Sequence, residues 1–148
     1  DGLEHCESGK PSTAAADHLA QLEKRSGKIE NFDYGEHWAD VRGEGVTAIL
    51  NWGSTTAVVR EAAERLKQQG ASVKVIALRL LLPASPEKLA AELEDVDRVL
   101  VVEQSHSGQF YRYLRAWYDI AADTHLLARP GPLPITPAEI VGYFENWS

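Results

Sequence analysis

One polar set in this sequence stands where a layered fold would gather it. Trp52-Gly53-Ser54-Thr55 follows the apolar run Val46–Leu50, and Arg79 follows Val73–Leu78. Glu103, Gln104, Ser105, His106, Ser107, Gly108 and Gln109 follow the run from Arg98 to Val102. Gly53-Ser54-Thr55 at the start of an amphipathic stretch could hold an anion through backbone N–H groups and hydroxyls. The plainer reading is ordinary helix capping. The loop has neither the glycine spacing of a dinucleotide-binding turn nor a phosphate-binding lysine. Glu103 and His106 could act as an acid–base pair beside a Ser105 or Ser107 nucleophile. Sequence neighbours on one strand-to-helix turn seldom achieve that geometry, however, and no Gly-x-Ser-x-Gly elbow is present. The expectation is therefore that Ser105 or Ser107 caps a helix. Glu103 then makes a structural hydrogen bond or an ion pair with Arg79. No catalytic residue, cofactor ligand or metal ligand is assigned; Trp52, Gly53, Ser54, Thr55, Arg79, Glu103, Ser105, His106, Gly108 and Gln109 form a candidate crevice or interface.

Other chemistries fare worse. His5, Cys6 and His18 match no zinc spacing, and a single cysteine excludes an internal disulfide and a cysteine-ligated cluster. A phosphorylation receiver needs paired acids after its first strand and an aspartate after its third, where this chain has Asn51 and Glu103. Asn146-Trp147-Ser148 spells a glycosylation sequon, read here as chance because no secretory signal precedes it.

The elements that must position these residues recur. Strand candidates begin near 46, 73 and 98, and each is followed by helical spacing. The first helix carries Val58, Val59, Ala62, Ala63 and Leu66 behind a Ser54-Thr55 cap and stops at Gly70. The second opens at Ser85-Pro86, with serine as cap and proline in the first turn. The uninterrupted Val99–Val102 run predicts a strand buried on both faces. A helix from about Ser107 to Ala121 places Phe110, Leu114, Trp117 and Ala121 on its core face. Tyr111 and Tyr118 lie on a second flank, which, with Tyr143 and Trp147, would meet another protein or enlarge the core. His125–Ala128 is a fourth strand, and Thr136 with Glu139 forms a capping box for the last helix. Repeated βα units predict a doubly wound, three-layer α/β/α domain with a mostly parallel sheet over 46–148. Residues 1–45 read as a connecting segment with one helix, Thr13–Lys28, whose narrow seam is Leu19, Leu22 and Ile29, followed by a connector over Glu30–Gly45.

Composition narrows the partners. A net charge of −7 argues against nucleic acid and anionic membranes. No apolar run approaches the roughly 20 residues of a membrane helix. The acidity is concentrated at the front, where residues 1–45 hold 10 acids and 5 bases against 12 and 10 in residues 46–148. One cysteine suits a reducing cytoplasm. The chain has no methionine and starts Asp1-Gly2-Leu3-Glu4-His5, which leads us to expect a piece of a longer polypeptide.

Gly2-Leu3-Glu4-His5, followed by Gly9, Pro11, His18, Arg25 and Lys28, resembles the segment after the pyrimidine-binding domain of 2-oxoacid:ferredoxin oxidoreductase alpha subunits. The resemblance runs on in order through Trp52-Gly53-Ser54-Thr55, Leu78-Arg79, Pro83, Val101-Val102-Glu103, Ser107-Gly108-Gln109 and Thr136-Pro137-Ala138-Glu139-Ile140. It implies a mixed α/β sheet similar to the transketolase C-terminal domain. It also implies a parent enzyme that decarboxylates a 2-oxoacid to an acyl-CoA using thiamine diphosphate, Mg and an iron–sulfur cluster. In that family the cofactors are held chiefly by other domains and the beta subunit. This chain would then be a non-catalytic structural and interface domain that binds none of them and packs against the other domains of the alpha subunit and the beta subunit. Ferredoxins are acidic, so ferredoxin would be met only through the whole enzyme. Cys6, the Ala84 after Pro83 and the apolar Leu80-Leu81-Leu82 depart from the family pattern and bear on the 2-oxoacid used. The competing expectation is a free-standing small-ligand module with its site at the strand ends near Gly53 and Gly108. A hydrolase using Ser105 or Ser107 with His106 is the third.

Overall fold

β-Branched and leucine-rich runs form strands because the extended backbone lets successive side chains fill two opposite cores. The computed structural model describes residues 3–121 and 123–147; Gly2 of the resemblance motif and Ser148 of the sequon lie outside them. It divides into two compact units, up to Gly35 and from Glu36.

In the first unit, β1 (Glu4–His5) pairs antiparallel with β2 (Pro11–Ser12), and α1 spans Ala15–Glu30. The Glu4 carboxylate accepts from Arg25 at 2.5 and 3.2 Å and lies 3.3 Å from the His18 ring, tying β1 to α1. Arg25's hydrogen bonds hold the Glu4 carboxyl below its usual range. No residue of α1 is buried, and Leu19, Leu22 and Ile29 are about half exposed.

The second unit is a five-stranded sheet ordered β3-β5-β4-β6-β7. The strands are β3 (Ala39–Arg42), β4 (Thr47–Trp52), β5 (Lys74–Leu78), β6 (Arg98–Glu103) and β7 (Asp123–Ala128). β4 to β7 run parallel, and β3 joins β5 antiparallel. Ala48, Leu50, Ile76, Val99 and Val101 face one core with α3 (Pro86–Leu93) and α4 (Gln109–Trp117). Ile49, Val75, Leu100 and Val102 face the other with α2 (Thr56–Gln68) and α5 (Pro137–Glu145). The three layers, the parallel core of the sheet and the doubly buried Val99–Val102 run are as the pattern predicts.

Several expectations are corrected. The connector reading of Glu30–Gly45 fails for Ala39–Arg42, which is an edge strand, and Trp38 before it is buried. The second compact unit therefore starts at Glu36 instead of Val46. Ser54 and Thr55 do not cap α2 with their side chains. A 3-10 turn over Gly53–Thr55 leads into it, and the Thr55 hydroxyl donates back to the Trp52 carbonyl at 2.9 Å. Ser85 likewise makes no side-chain cap; its backbone N–H donates to the Tyr118 hydroxyl. The helix predicted to Ala121 stops at Trp117, which is half exposed, while Tyr118 turns extended and is buried against Tyr113.

The capping box of α5 is present, with the Thr136 hydroxyl accepting from the Glu139 N–H and the Glu139 carboxylate accepting from the Thr136 N–H. Arg129 donates to both Glu139 oxygens at 2.7 and 2.8 Å. That guanidinium, and then the Thr136 hydroxyl and N–H, pull the Glu139 carboxyl down to about 2. A carboxyl depressed in the folded state contributes stability that is full above its unfolded value near 4.5 and is lost as pH falls toward 2. Acid titration of the unfolding midpoint should therefore fall less steeply between those values in Glu139→Gln than in the parent chain. Equal slopes would refute this assignment.

Candidate functional site

At the carboxyl end of β6, the chain must leave a buried strand and open a helix with four unpaired N–H groups. Glu103, on the last residue of that strand and 2% exposed, serves them. Its carboxylate accepts from the N–H of Phe110 at 2.9 Å, the N–H of Tyr111 at 3.0 Å and the Ser105 hydroxyl at 2.7 Å. The Ser105 oxygen in turn accepts from the N–H groups of Gly108 and Gln109. Gly108 sits at φ +65°, a left-handed conformation that glycine adopts freely, and a Cβ there would fall 2.9 Å from Leu126 Cδ2. The Glu103–Ser105–Gly108–Gln109 set is thus an internal cap. A serine that gives its proton to a buried carboxylate and its lone pairs to two amides is spent on structure. Of the two serines, Ser105 makes the cap, while Ser107 and His106 are exposed. Arg79 is not the partner of Glu103.

The other strand ends do converge. A cleft of about 500 Å3 lies over the ends of β4 and β5, lined by Trp52, Gly53, Thr56, Arg60, Arg79, Asp40 and Arg42 among others. Asp40 accepts from Arg42 Nε at 2.8 Å and pairs with Arg60 at 2.7 Å. The Arg42 hydrogen bond, with Arg60 beside it, holds the Asp40 carboxyl below the usual range. The Trp52 indole packs 6.2 Å from the Phe110 ring, which links the cleft wall to the first turn of α4. Of the sequence-level candidates, Trp52, Gly53 and Arg79 meet here; Glu103, Ser105, Gly108 and Gln109 belong to the cap, and Ser54 and His106 face solvent. Asp40, Arg42, Thr56 and Arg60 were missed. Asp40 and Arg42 lie on the edge strand that the sequence hides, while Arg60, four residues after Thr56 on α2, was open to helical spacing.

Among the described residues no group of three His, Cys, Asp or Glu side chains could hold a metal, and Cys6, the sole cysteine, bonds to Ser8. One thiol alone cannot ligate an iron–sulfur cluster. No helix of the described residues is long and apolar enough to cross a membrane.

The model of the family described as "Transketolase, C-terminal domain" matches residues 36–110, half of the chain. The chain belongs to this family. The match begins at Glu36, where the second compact unit of this transketolase C-terminal domain begins. Over 146 residues, 95% of the chain, it is 32% identical to subunit alpha of 2-oxoacid:ferredoxin oxidoreductase 2 from Aeropyrum pernix, and covers 23% of that subunit. Subunit alpha of 2-oxoacid:ferredoxin oxidoreductase 1 from the same organism is 30% identical over 73% of the chain and 18% of its own length. The chain thus spans about a fifth to a quarter of the curated relatives it matches. A solved 2-oxoglutarate:ferredoxin oxidoreductase from Magnetococcus marinus, with 2-oxoglutarate, coenzyme A and succinyl-CoA bound, aligns with 98% of this chain and 26% of its own chain. The TM-score is 0.75 at 31% identity. Transketolase from Campylobacter jejuni shares the fold at a TM-score of 0.52 and 17% identity, over 77% of this chain and 19% of its own.

Proposed function

We propose that this transketolase C-terminal domain is a non-catalytic structural and interface part of a 2-oxoacid:ferredoxin oxidoreductase alpha subunit. The observation that carries the reading is the likeness to such subunits along nearly the whole chain, with both compact units included. The chemistry of the strand ends supports it, because the most promising polar residues are consumed in capping α4. Thiamine diphosphate, magnesium and an iron–sulfur cluster would then be held elsewhere in the assembly, by other domains of the alpha subunit or by the beta subunit. The half-exposed seam of α1 would pack on one of those parts. Residues 1–45 would link this domain to a preceding pyrimidine-binding domain, and the whole enzyme would work in the cytoplasm.

Calorimetry and a reduction assay on the 148-residue chain test the reading. No heat of binding for thiamine diphosphate is expected, and no reduction of an electron acceptor when pyruvate or 2-oxoglutarate is supplied with coenzyme A. Micromolar thiamine diphosphate binding, or turnover without a companion chain, would overturn it. The flanking DNA gives a second check, since an upstream thiamine-enzyme domain and a neighbouring beta-subunit frame are expected.

A further inference from the structure

The sheet ends at β7, on the margin opposite β3, and β7 pairs with β6 alone. Every residue from Thr124 to Ala128 is half-buried, whereas the middles of β4, β5 and β6 are fully buried. One hydrogen bond fixes where the backbone groups of β7 point. The N–H of Arg129, the residue after the strand, donates inward to the Glu103 carbonyl at 3.3 Å. Extended residues alternate in the side they address, so His125 and Leu127 also turn their N–H and carbonyl groups toward β6. Thr124, Leu126 and Ala128 turn theirs outward, where this sheet has no strand to meet them. Such a row is a template for another strand.

The charges at its two ends select that strand. Asp123 and Arg129 stand at equal distances on either side of Leu126. An identical strand running antiparallel about Leu126 sets Asp123 opposite Arg129, Thr124 opposite Ala128, His125 opposite Leu127 and Leu126 opposite itself. Opposed residues then share a face: Leu127 and His125 lie on the α5 side with Tyr143 and Trp147, and Leu126 lies on the α4 side. Moving the centre by one residue sets the Asp123 carboxylate against Leu127, or His125 against the Arg129 guanidinium. Asp123 is 46% exposed and lies 3.5 Å from Arg98 and 3.4 Å from the His125 ring, while Arg129 is held by Glu139. Across the join, Arg98, Asp123, Arg129 and Glu139 therefore alternate in sign.

We propose that β7 is a self-docking edge, at which two copies of this chain join antiparallel about a two-fold axis at Leu126 to make one continuous sheet. Thr124, Leu126 and Ala128 of the two copies exchange about six backbone hydrogen bonds. The half-buried Trp147 ring, stacked on His125 at 4.6 Å, flanks the join. The contact goes beyond the role proposed above and uses residues of the second compact unit alone, so either can fail without the other.

Sedimentation equilibrium of the 148-residue chain from about 10 μM to about 1 mM tests it, with circular dichroism confirming that each variant folds. A dimer is expected to build up across that range. Ala128→Pro removes an outward N–H without breaking a bond to β6, and is expected to weaken the dimer at least about tenfold. Asp123→Lys sets two cations face to face and is expected to weaken it by a similar factor of about ten. Val41→Lys, on the opposite margin, should leave it unchanged. Hydrogen exchange reads the register, since the amides of Thr124, Leu126 and Ala128 should gain protection as concentration rises while that of Val41 does not. A monomer throughout the range would overturn the proposal and leave β7 to a strand of a different protein. A dimer equally tight in both β7 variants would overturn it by placing the contact elsewhere.

Discussion

Glu103→Ala is expected to destabilise the chain by about 3–4 kcal/mol in urea unfolding, the combined effect of losing a helix cap and stranding buried donors. The side chain is 2% exposed and accepts three hydrogen bonds, two from the backbone of α4 and one from Ser105. Alanine leaves the N–H groups of Phe110 and Tyr111 without their acceptor beside a buried strand end. It also frees Ser105, so the N–H groups of Gly108 and Gln109 lose their fixed acceptor. Glu103→Gln should cost about half as much, since an amide keeps the volume and one acceptor oxygen. A loss below about 1 kcal/mol in Glu103→Ala would show that α4 does not depend on this carboxylate.

Gly45→Ala is expected to cost about 3 kcal/mol or more, since it combines backbone strain with overpacking against main chain. Gly45 has φ +146°, and a Cβ there would collide with the Ser72 carbonyl oxygen while lying 2.8 Å from its carbon. Neither side can give way cheaply. The Ser72 hydroxyl donates to the Glu44 carbonyl, and the Val46 carbonyl next along accepts from the N–H groups of Asp97 and Arg98. The crossing of these two segments fixes β3 to β5, so edge-strand amides should lose hydrogen-exchange protection before the rest of the sheet. A variant with parental stability would mean that the crossing is free to open.

The three inner parallel strands, β4, β5 and β6, were legible because burial on both faces writes an unbroken apolar run, as in Val99–Val102. Ala39-Asp40-Val41-Arg42 writes nothing of the kind. It lies at the edge with one partner, so its charged residues can stay wet, and its pairing rests on contacts with residues 75–78, far along the chain. The core placement of Trp117 failed for a different reason. Helical spacing carried past residue 117 keeps turning the same face inward, but the backbone goes extended at Tyr118, with φ −132° and ψ 148°. That places Tyr118 where its hydroxyl accepts from the Ser85 N–H, and the indole is left outside. The candidate site divides the same way. A serine cap and a structural hydrogen bond at Glu103 were readable because strand, turn and helix are contiguous there, whereas the carboxylate's hold on the N–H groups of Phe110 and Tyr111 was not. The Asp40–Arg60 pair was not, because it exists only once the edge strand has been inserted.

The edge strand also guards against unwanted company. A terminal strand offers unpaired amides to any extended peptide, which is how sheets grow into aggregates. Here that strand is four residues long, runs against its neighbours' direction and carries the carboxylate of Asp40 clasped by two arginines on one face. An added strand would have to bury or displace those charges. The same ionic group that shapes one wall of the cleft therefore stops the sheet from recruiting a further strand at that margin.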